Sequence, residues 1–134
     1  MDDIFVARLM STDIHTVTPD TLVEDAAHVM LENDIGSVVV VDEDNALQGI
    51  LTSTDFVEIV AKQKRKDSTS VSKYMSTDVV TTSAQEPVQD AADSMLEHGF
   101  HHLPVVDETE GVIGMVSTTD LTAYISRLQS PTPA

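Results

Sequence analysis

Cysteine is absent from this 134-residue chain, which excludes disulfide bridges and thiolate chemistry. Tryptophan is absent too, and aromatic residues make up only 4% of the sequence. No apolar run approaches the ~20 residues that a membrane-spanning helix needs. The first residues carry neither the basic nor the apolar segment of a signal peptide. The sequence therefore predicts a cytoplasmic protein that does not enter a membrane.

Basic residues are scarce, with 7 Lys and Arg against 23 Asp and Glu, and the net charge is −16. Such a balance disfavours nucleic acid and anionic membranes as partners. Two interpretations of the acidity stay open: a halophilic protein, of haloarchaeal origin, whose surface stays hydrated in concentrated salt, or an ordinary acidic protein. Hydrophobic residues make up 41% of the chain, enough to build the core of one domain.

An internal repeat covers nearly the whole chain, with an offset of 65 residues and no gap. The repeated segments share their residue types in order: Met10–Asp13 with Met75–Asp78, Asp25–Ala27 with Asp90–Ala92, Val40–Glu43 with Val105–Glu108, and Gly49 with Gly114. Two copies of a small unit that form one pseudo-symmetric module are the simplest interpretation, because the period is longer than that of ordinary solenoid repeats.

Each copy has the hydrophobic pattern of a β-α-β-β-α unit, which predicts a mixed α/β fold. The continuous run Val38–Val41 is typical of a strand that is covered on both faces. A lead-in helix is expected over residues 4–10. The predicted boundaries are residues 1–66 for the first repeat with its lead-in helix, 67–129 for the second, and 130–134 for a disordered tail.

The most informative stretches are the two helix starts that follow Gly49 and Gly114. Thr52 and Asp55, and later Ser117 and Asp120, have the spacing of a capping box, with a hydroxyl at the N-cap and a carboxylate three residues on. Such a helix start can hold a phosphate on free backbone N–H groups, and its Asp can accept hydrogen bonds from two ribose hydroxyls. The alternative is that both Asp residues only cap their helices.

In order, spacing and duplication, these motifs resemble the CBS domain family, named for cystathionine β-synthase, from about residue 8 to 128. The resemblance implies two repeats packed sheet to sheet as one pseudo-two-fold module, and modules that pair into a disc-like homodimer. It also implies regulatory sensing rather than catalysis, through an adenosine-containing ligand (AMP, ADP, ATP or S-adenosylmethionine) bound in clefts between the repeats.

The resemblance assigns site residues to two clefts, each with a ribose-binding Asp, the hydroxyl before it, and an adenine pocket from the other repeat. The first cleft would combine Ser117 and Asp120 with Thr12, Asp13, Ile14, Ile35, Gly36 and Ser37. The second would combine Thr52 and Asp55 with Thr77, Asp78, Val79, Phe100, His101 and His102. The backbone at Ile14 and Val79 would bond the adenine edge, and Ile35 or Phe100 would pack on the ring.

The two copies differ where ligand selection is expected, because Gly36-Ser37 is small and neutral whereas His101-His102 is bulky and can carry charge. The hypothesis is that the clefts are inequivalent and that the histidine cleft prefers phosphate. His98, His101 and His102 have a spacing that could hold a metal, but the sequence shows no carboxylate-rich cage around them, so no metal site is predicted.

An enzyme and a ligand-free docking module are the two rival functions. No nucleophile stands with a base in a recognisable order, so the sequence does not favour an enzyme. A ligand-free module that dimerises and docks onto an enzyme or transporter is the alternative function. The basic run 62–66 holds four of the seven cations, which either favour a helix C-terminus or contact a phosphate or a partner.

Overall fold

The computed structural model describes residues 4–62, 64–65 and 67–129, so the tail predicted at 130–134 lies outside the described residues. The first repeat contributes α1 (Val6–Leu9), β1 (Thr16–Val17), α2 (Val23–Asn33), β2 (Ser37–Val41), β3 (Leu47–Thr52) and α3 (Ser53–Ala61). The second contributes a 3₁₀ turn (Val71–Lys73), α4 (Val88–His98), β4 (His102–Asp107), β5 (Gly111–Ser117) and α5 (Thr118–Gln129). In the described part of the chain, no helix is both long and apolar enough to cross a bilayer.

The chain folds into two compact units whose boundaries differ from those of the sequence repeats. The segment that precedes each repeat, here called its leading segment, belongs to the unit formed by the other repeat. The unit that carries α5, called the α5 unit, contains residues 4–12, 80–107 and 113–129. The unit that carries α3, called the α3 unit, contains the described residues of 13–79 together with 108–112. The segment before each repeat therefore packs with the strands and helices of the other repeat.

The α3 unit is built on a three-stranded sheet in the order β1-β2-β3. β1 runs parallel to β2, and β2 pairs antiparallel with β3, with Ser37 opposite Thr52 and Val38 opposite Leu51. All five residues of β2 are buried, as the continuous β-branched run predicts. The core of this unit joins Val38 and Leu51 to Val23 on the apolar face of α2.

The α5 unit has a two-stranded sheet of β4 and β5. Their three-residue connection is short enough only for antiparallel neighbours. The counterpart of β1 shrinks here to a single parallel bridge between Thr82 and Val105. Val6 of α1 is fully buried in the core with Leu103 and Val116, so the predicted lead-in helix, although only four residues long, anchors its segment to this unit.

Gly49 and Gly114 allow the backbone of a leading segment to pack closely against a strand. A Cβ on Gly114 would lie 2.9 Å from the Ser11 carbonyl oxygen, and a Cβ on Gly49 would lie 2.7 Å from the Ser76 carbonyl oxygen. Ser11 exchanges two backbone hydrogen bonds with Met115, at 2.8 and 2.9 Å. Any larger residue at these glycines would push the segment away from the strand, which explains why glycine recurs at the same place in both repeats.

Candidate functional site

Both predicted capping boxes are present at the helix starts. The Thr52 N–H donates to Asp55 Oδ2 at 2.8 Å, and the Ser117 N–H donates to Asp120 Oδ2 at the same distance. The Asp120 N–H returns a bond of 3.1 Å to Ser117 Oγ. Both carboxylates are half-buried rather than enclosed in the interior. Their described hydrogen bonds run through Oδ2, which leaves Oδ1 of each carboxylate available to a ligand hydroxyl.

The residue before each inner strand lies directly beside the helix start of its own repeat. The Ser53 N–H donates to the Gly36 carbonyl at 3.1 Å, and the Thr118 N–H donates to the His101 carbonyl at 3.0 Å. The cause is the hairpin: in antiparallel neighbours, the start of the first strand meets the end of the second. Each helix start is therefore bordered by the residue pair that differs most between the repeats.

His102 interacts electrostatically with Asp120 inside the α5 unit. Partial burial lowers the pKa of His102 below its ordinary value, the neighbouring His101 lowers it further, and Asp120 opposes both effects. The imidazole is consequently neutral near pH 7, but it stands beside a carboxylate that would stabilise its protonated form. Asp55 has no equivalent, because Gly36 and Ser37 occupy the matching positions in its repeat.

The family resemblance assigns His101 and His102 to the cleft of Asp55. Within their own unit, the structure places these residues beside the helix start that carries Asp120. Their pairing with Asp55 joins residues of two units and stays a prediction. The signal that could have revealed their neighbours within the unit is the hairpin register, since Ser37 lies opposite Thr52 in the first repeat and residues 102 and 117 are their counterparts.

The candidate residues of the leading segments divide between the two units. Thr12 is exposed and shares the α5 unit with Asp120, while Thr77, Asp78 and Val79 share the α3 unit with Asp55. The remaining candidates for the first cleft lie in the α3 unit, and their contribution beside Asp120 stays a prediction: Asp13, Ile14, Ile35, Gly36 and Ser37. Ile14 and Ile35 are half-buried, and Ser37 is buried.

A groove of about 350 Å³ adjoins each helix start. In the α5 unit, Phe100, His101, Thr118 and Leu121 are among its lining residues. In the α3 unit, the corresponding lining residues include Ile35, Ser53 and Phe56. The two grooves occupy equivalent places in the two repeats, and both are mainly apolar.

A family model for the CBS domain matches residues 6–62 and 71–127, which together span most of the chain. The chain belongs to the CBS domain family. This confirms the family and the mixed α/β fold with two tandem repeats that the sequence predicts.

Similar proteins include a 17.7 kDa protein of Acidianus ambivalens, 37% identical over 87% of this CBS pair and 70% of that protein. Among solved structures, the CBS domain pair of MJ0100 has a TM-score of 0.87 and 26% identity, with coverage of 94% of this chain and 98% of the other. That pair was crystallised in complex with 5′-methylthioadenosine and S-adenosyl-L-methionine.

A homoserine O-acetyltransferase of Methanosalsum zhilinae is 31% identical to the CBS pair over 93% of this chain. The chain spans only 25% of that enzyme's length. CBS pairs thus occur as parts of larger proteins as well as in short chains, and the match concerns the CBS pair alone.

Among the residues that the structure describes, His98, His101 and His102 do not converge with carboxylates on a possible metal site. His98 stacks on Phe100 with ring centroids 6.0 Å apart, and its Nδ1 lies 3.0 Å from the Ser94 carbonyl oxygen. Within residues 4–62, 64–65 and 67–129, no group of three or more His, Asp or Glu side chains converges on a point. His98 therefore has a local packing role in which the ring supports Phe100.

The lowered pKa of His102 predicts a pH-dependent stability. His102 binds a proton more readily in the unfolded chain, where its pKa is about 6.5, than in the folded chain. The contribution of His102 to the free energy of unfolding is therefore fully present above about pH 6.5. It is lost as the pH falls through the lower pKa of the folded chain. We expect His102→Gln to flatten the fall in unfolding free energy measured by urea denaturation between about pH 7.5 and pH 5. The exposed His28 supplies the control variant His28→Gln. Equal slopes for His102→Gln and the wild type would contradict the assignment.

Proposed function

We propose that this CBS pair is a regulatory module that binds an adenosine-containing ligand at its two capped helix starts. The observation that carries the proposal is the half-buried carboxylate at each start, with one oxygen engaged in the cap and the other available. A carboxylate in that state can accept hydrogen bonds from neighbouring ribose hydroxyls. The adenosyl ligands of the MJ0100 pair support the same ligand class: AMP, ADP, ATP or S-adenosylmethionine.

The two starts are proposed to differ in the ligand charge that they favour. At the α5 start, the negative charge of a bound phosphate would raise the pKa of His102. The phosphate would also accept hydrogen bonds from the backbone N–H groups at the start of the helix. At the α3 start, Gly36 and Ser37 offer space and no cation, which favours a ligand end that is neutral or weakly charged. The adenine contacts expected at Ile14, Val79, Ile35 and Phe100 belong to this proposal.

A thermal-shift screen with the four adenosyl ligands tests the proposal. A ligand at 100 times its dissociation constant should stabilise the folded chain by about 2.7 kcal/mol. The screen is best run at about 0.1 M and at about 2 M KCl, because screening of the acidic surface should raise the baseline stability of a halophilic protein. The absence of any shift at either salt concentration would reject the ligand proposal and favour a ligand-free docking module.

A regulatory module needs a surface that contacts another protein chain, in addition to its ligand site. Exposed leucines and valines form a candidate for such a surface. Leu31 and Leu96 are 78% and 83% exposed at equivalent places in the two repeats, and Val57 and Val60 are 69% and 75% exposed on α3. Large apolar side chains exposed in groups mark interaction sites. We propose that these faces pair two copies of the chain as a homodimer. Leu31 and Leu96 also line the two equivalent apolar grooves, so each copy presents a similar apolar surface in both repeats. Such a surface can pair with the same surface of a second copy.

The regulated partner is proposed to be an enzyme or a transporter rather than a nucleic acid, whose phosphates the charge of −16 would repel. The chain itself is proposed to lack catalytic activity, because the sequence shows no nucleophile with a base in a recognisable order. The cytoplasmic location and the halophilic origin remain predictions from the sequence, supported by the acidic composition.

A further inference from the structure

A third cavity lies in the α3 unit at the opposite end of α3 from Asp55. Its volume is about 460 Å³, and its lining consists of Glu58, Lys62, Lys64, Thr69, Lys73 and Tyr74. Three of the seven basic residues in the chain thus converge on one cavity. The nine residues of α3 separate it from Thr52 by roughly 13 Å along the helix axis.

The lysines in this cavity are only partly neutralised. Lys62 Nζ lies 2.6 Å from Glu58 Oε1 and 5.9 Å from the centroid of the Tyr74 ring. Lys64 and Lys73 have no ion-pair partner among the residues for which the structure gives positions. Glu58 balances the charge of Lys62, and the positive charges of Lys64 and Lys73 remain at the cavity. The chain as a whole has more than three acidic residues for every basic one.

The C-terminus of α3 explains part of this cluster. Carbonyl groups at the end of a helix favour nearby cations, so Lys62 at the C-cap and Lys64 just beyond it have a structural reason to be there. Lys73 lies in the last turn of a separate element, the 3₁₀ turn Val71–Lys73, so the C-terminus of α3 does not account for its position. Lysines from two separate elements of the α3 unit therefore line the same cavity.

We propose that this cavity binds a small molecule through its phosphate groups, at a site separate from the two helix starts. Lysine ammonium groups bind phosphate oxygens as mobile point charges. The volume falls within the range of small-molecule sites, and Thr69 and the half-buried Tyr74 add a hydroxyl and a ring to the wall. At about 0.1 M salt the Debye length is about 10 Å, so acidic residues farther than this from the cavity oppose the attraction of its lysines only weakly.

Inorganic pyrophosphate is a suitable test ligand, because it carries the proposed charge without an adenosyl group. Calorimetric titration of the full chain in low-chloride buffer compares the wild type with Lys64→Gln/Lys73→Gln. Arg8→Gln/Arg127→Gln is the matched control, because it removes the same charge from exposed residues elsewhere. We expect binding by the wild type and the control, and at least tenfold weaker binding by the lysine variant, with unfolding midpoints unchanged in the absence of ligand.

Two further measurements separate this site from the helix starts and from a protein partner. Adenosine carries no phosphate, so a saturating concentration of it should leave the pyrophosphate affinity of the lysine cavity unchanged. Pyrophosphate is expected to bind even if adenosine causes no thermal shift, so failure of this proposal can be told apart from failure of the proposed function. Equal weakening in the lysine variant and the arginine control, or no binding to the wild type, would overturn it. Binding of an oligoglutamate peptide that requires Lys64 and Lys73, without pyrophosphate binding, would likewise overturn it in favour of an acidic protein segment.

Discussion

Replacing Asp120 by alanine is expected to weaken binding of the adenosyl ligand at the α5 start about 100-fold, or by about 2.7 kcal/mol. A hydrogen bond to a charged group contributes about 1.5–3 kcal/mol, and the carboxylate is proposed to accept bonds from ribose hydroxyls. The same change removes the bond that Asp120 Oδ2 accepts from the Ser117 N–H, so the unfolding free energy should also fall by about 1 kcal/mol. Equilibrium dialysis with labelled ligand measures the affinity.

A matched control separates the ligand contact from the helix cap. Asp90 is an exposed carboxylate in the first turn of α4, at the end of that helix away from Gly99 and Phe100. Asp90→Ala removes a favourable charge from a helix N-terminus but should leave the ligand affinity unchanged. If Asp90→Ala and Asp120→Ala weaken binding equally, the effect of Asp120 is one of general charge or stability, and the carboxylate does not hold the ligand.

The second large effect is expected at the apolar faces, where Leu31→Lys/Leu96→Lys should convert the proposed homodimer to a monomer at micromolar concentration. Burying a leucine contributes about 1.5–3 kcal/mol, and a two-fold interface contains every substituted position twice. The introduced ammonium groups would also have to be desolvated in the interface. Sedimentation equilibrium gives the dissociation constant, which should rise at least 100-fold.

Glu97→Gln is the control for one of these substitutions, because it changes the net charge by the same amount as Leu96→Lys at the adjacent position of α4. It should leave the dimer intact, since no apolar surface is removed. A wild-type chain that sediments as a monomer would reject homodimerisation and leave the exposed leucines to a different partner.

The sequence was most informative where local hydrogen bonding decides the structure. The capping boxes at Thr52 and Ser117 form as predicted, because their partners are only three residues away. The same rule fails at α2, where Thr21 and Glu24 also have the spacing of a capping box in the sequence. The helix starts at Val23 instead, and the Thr21 hydroxyl lies 3.1 Å from the Thr18 hydroxyl in the preceding turn.

Long-range placement was harder to predict. The exchange of leading segments depends on contacts such as Ser11 with Met115 and Ser76 with Ile50, far apart in sequence, and periodicity does not encode them. The convergence of Lys73 with Lys62 and Lys64 was missed for the same reason, since only Lys62 and Lys64 belong to the basic run. The position of His102 beside Asp120 could have been predicted, because the repeat offset and the hairpin register together imply it.

The central claim is that the carboxylates of Asp55 and Asp120 hold an adenosine-containing ligand. Isothermal titration of AMP, ADP, ATP and S-adenosylmethionine into the wild type and into Asp55→Ala/Asp120→Ala tests it most directly. We expect saturable binding of at least one of these ligands to the wild type and none to the folded double variant. Equal affinities of the two proteins for every ligand that binds, or a wild type that binds none of the four, would contradict it.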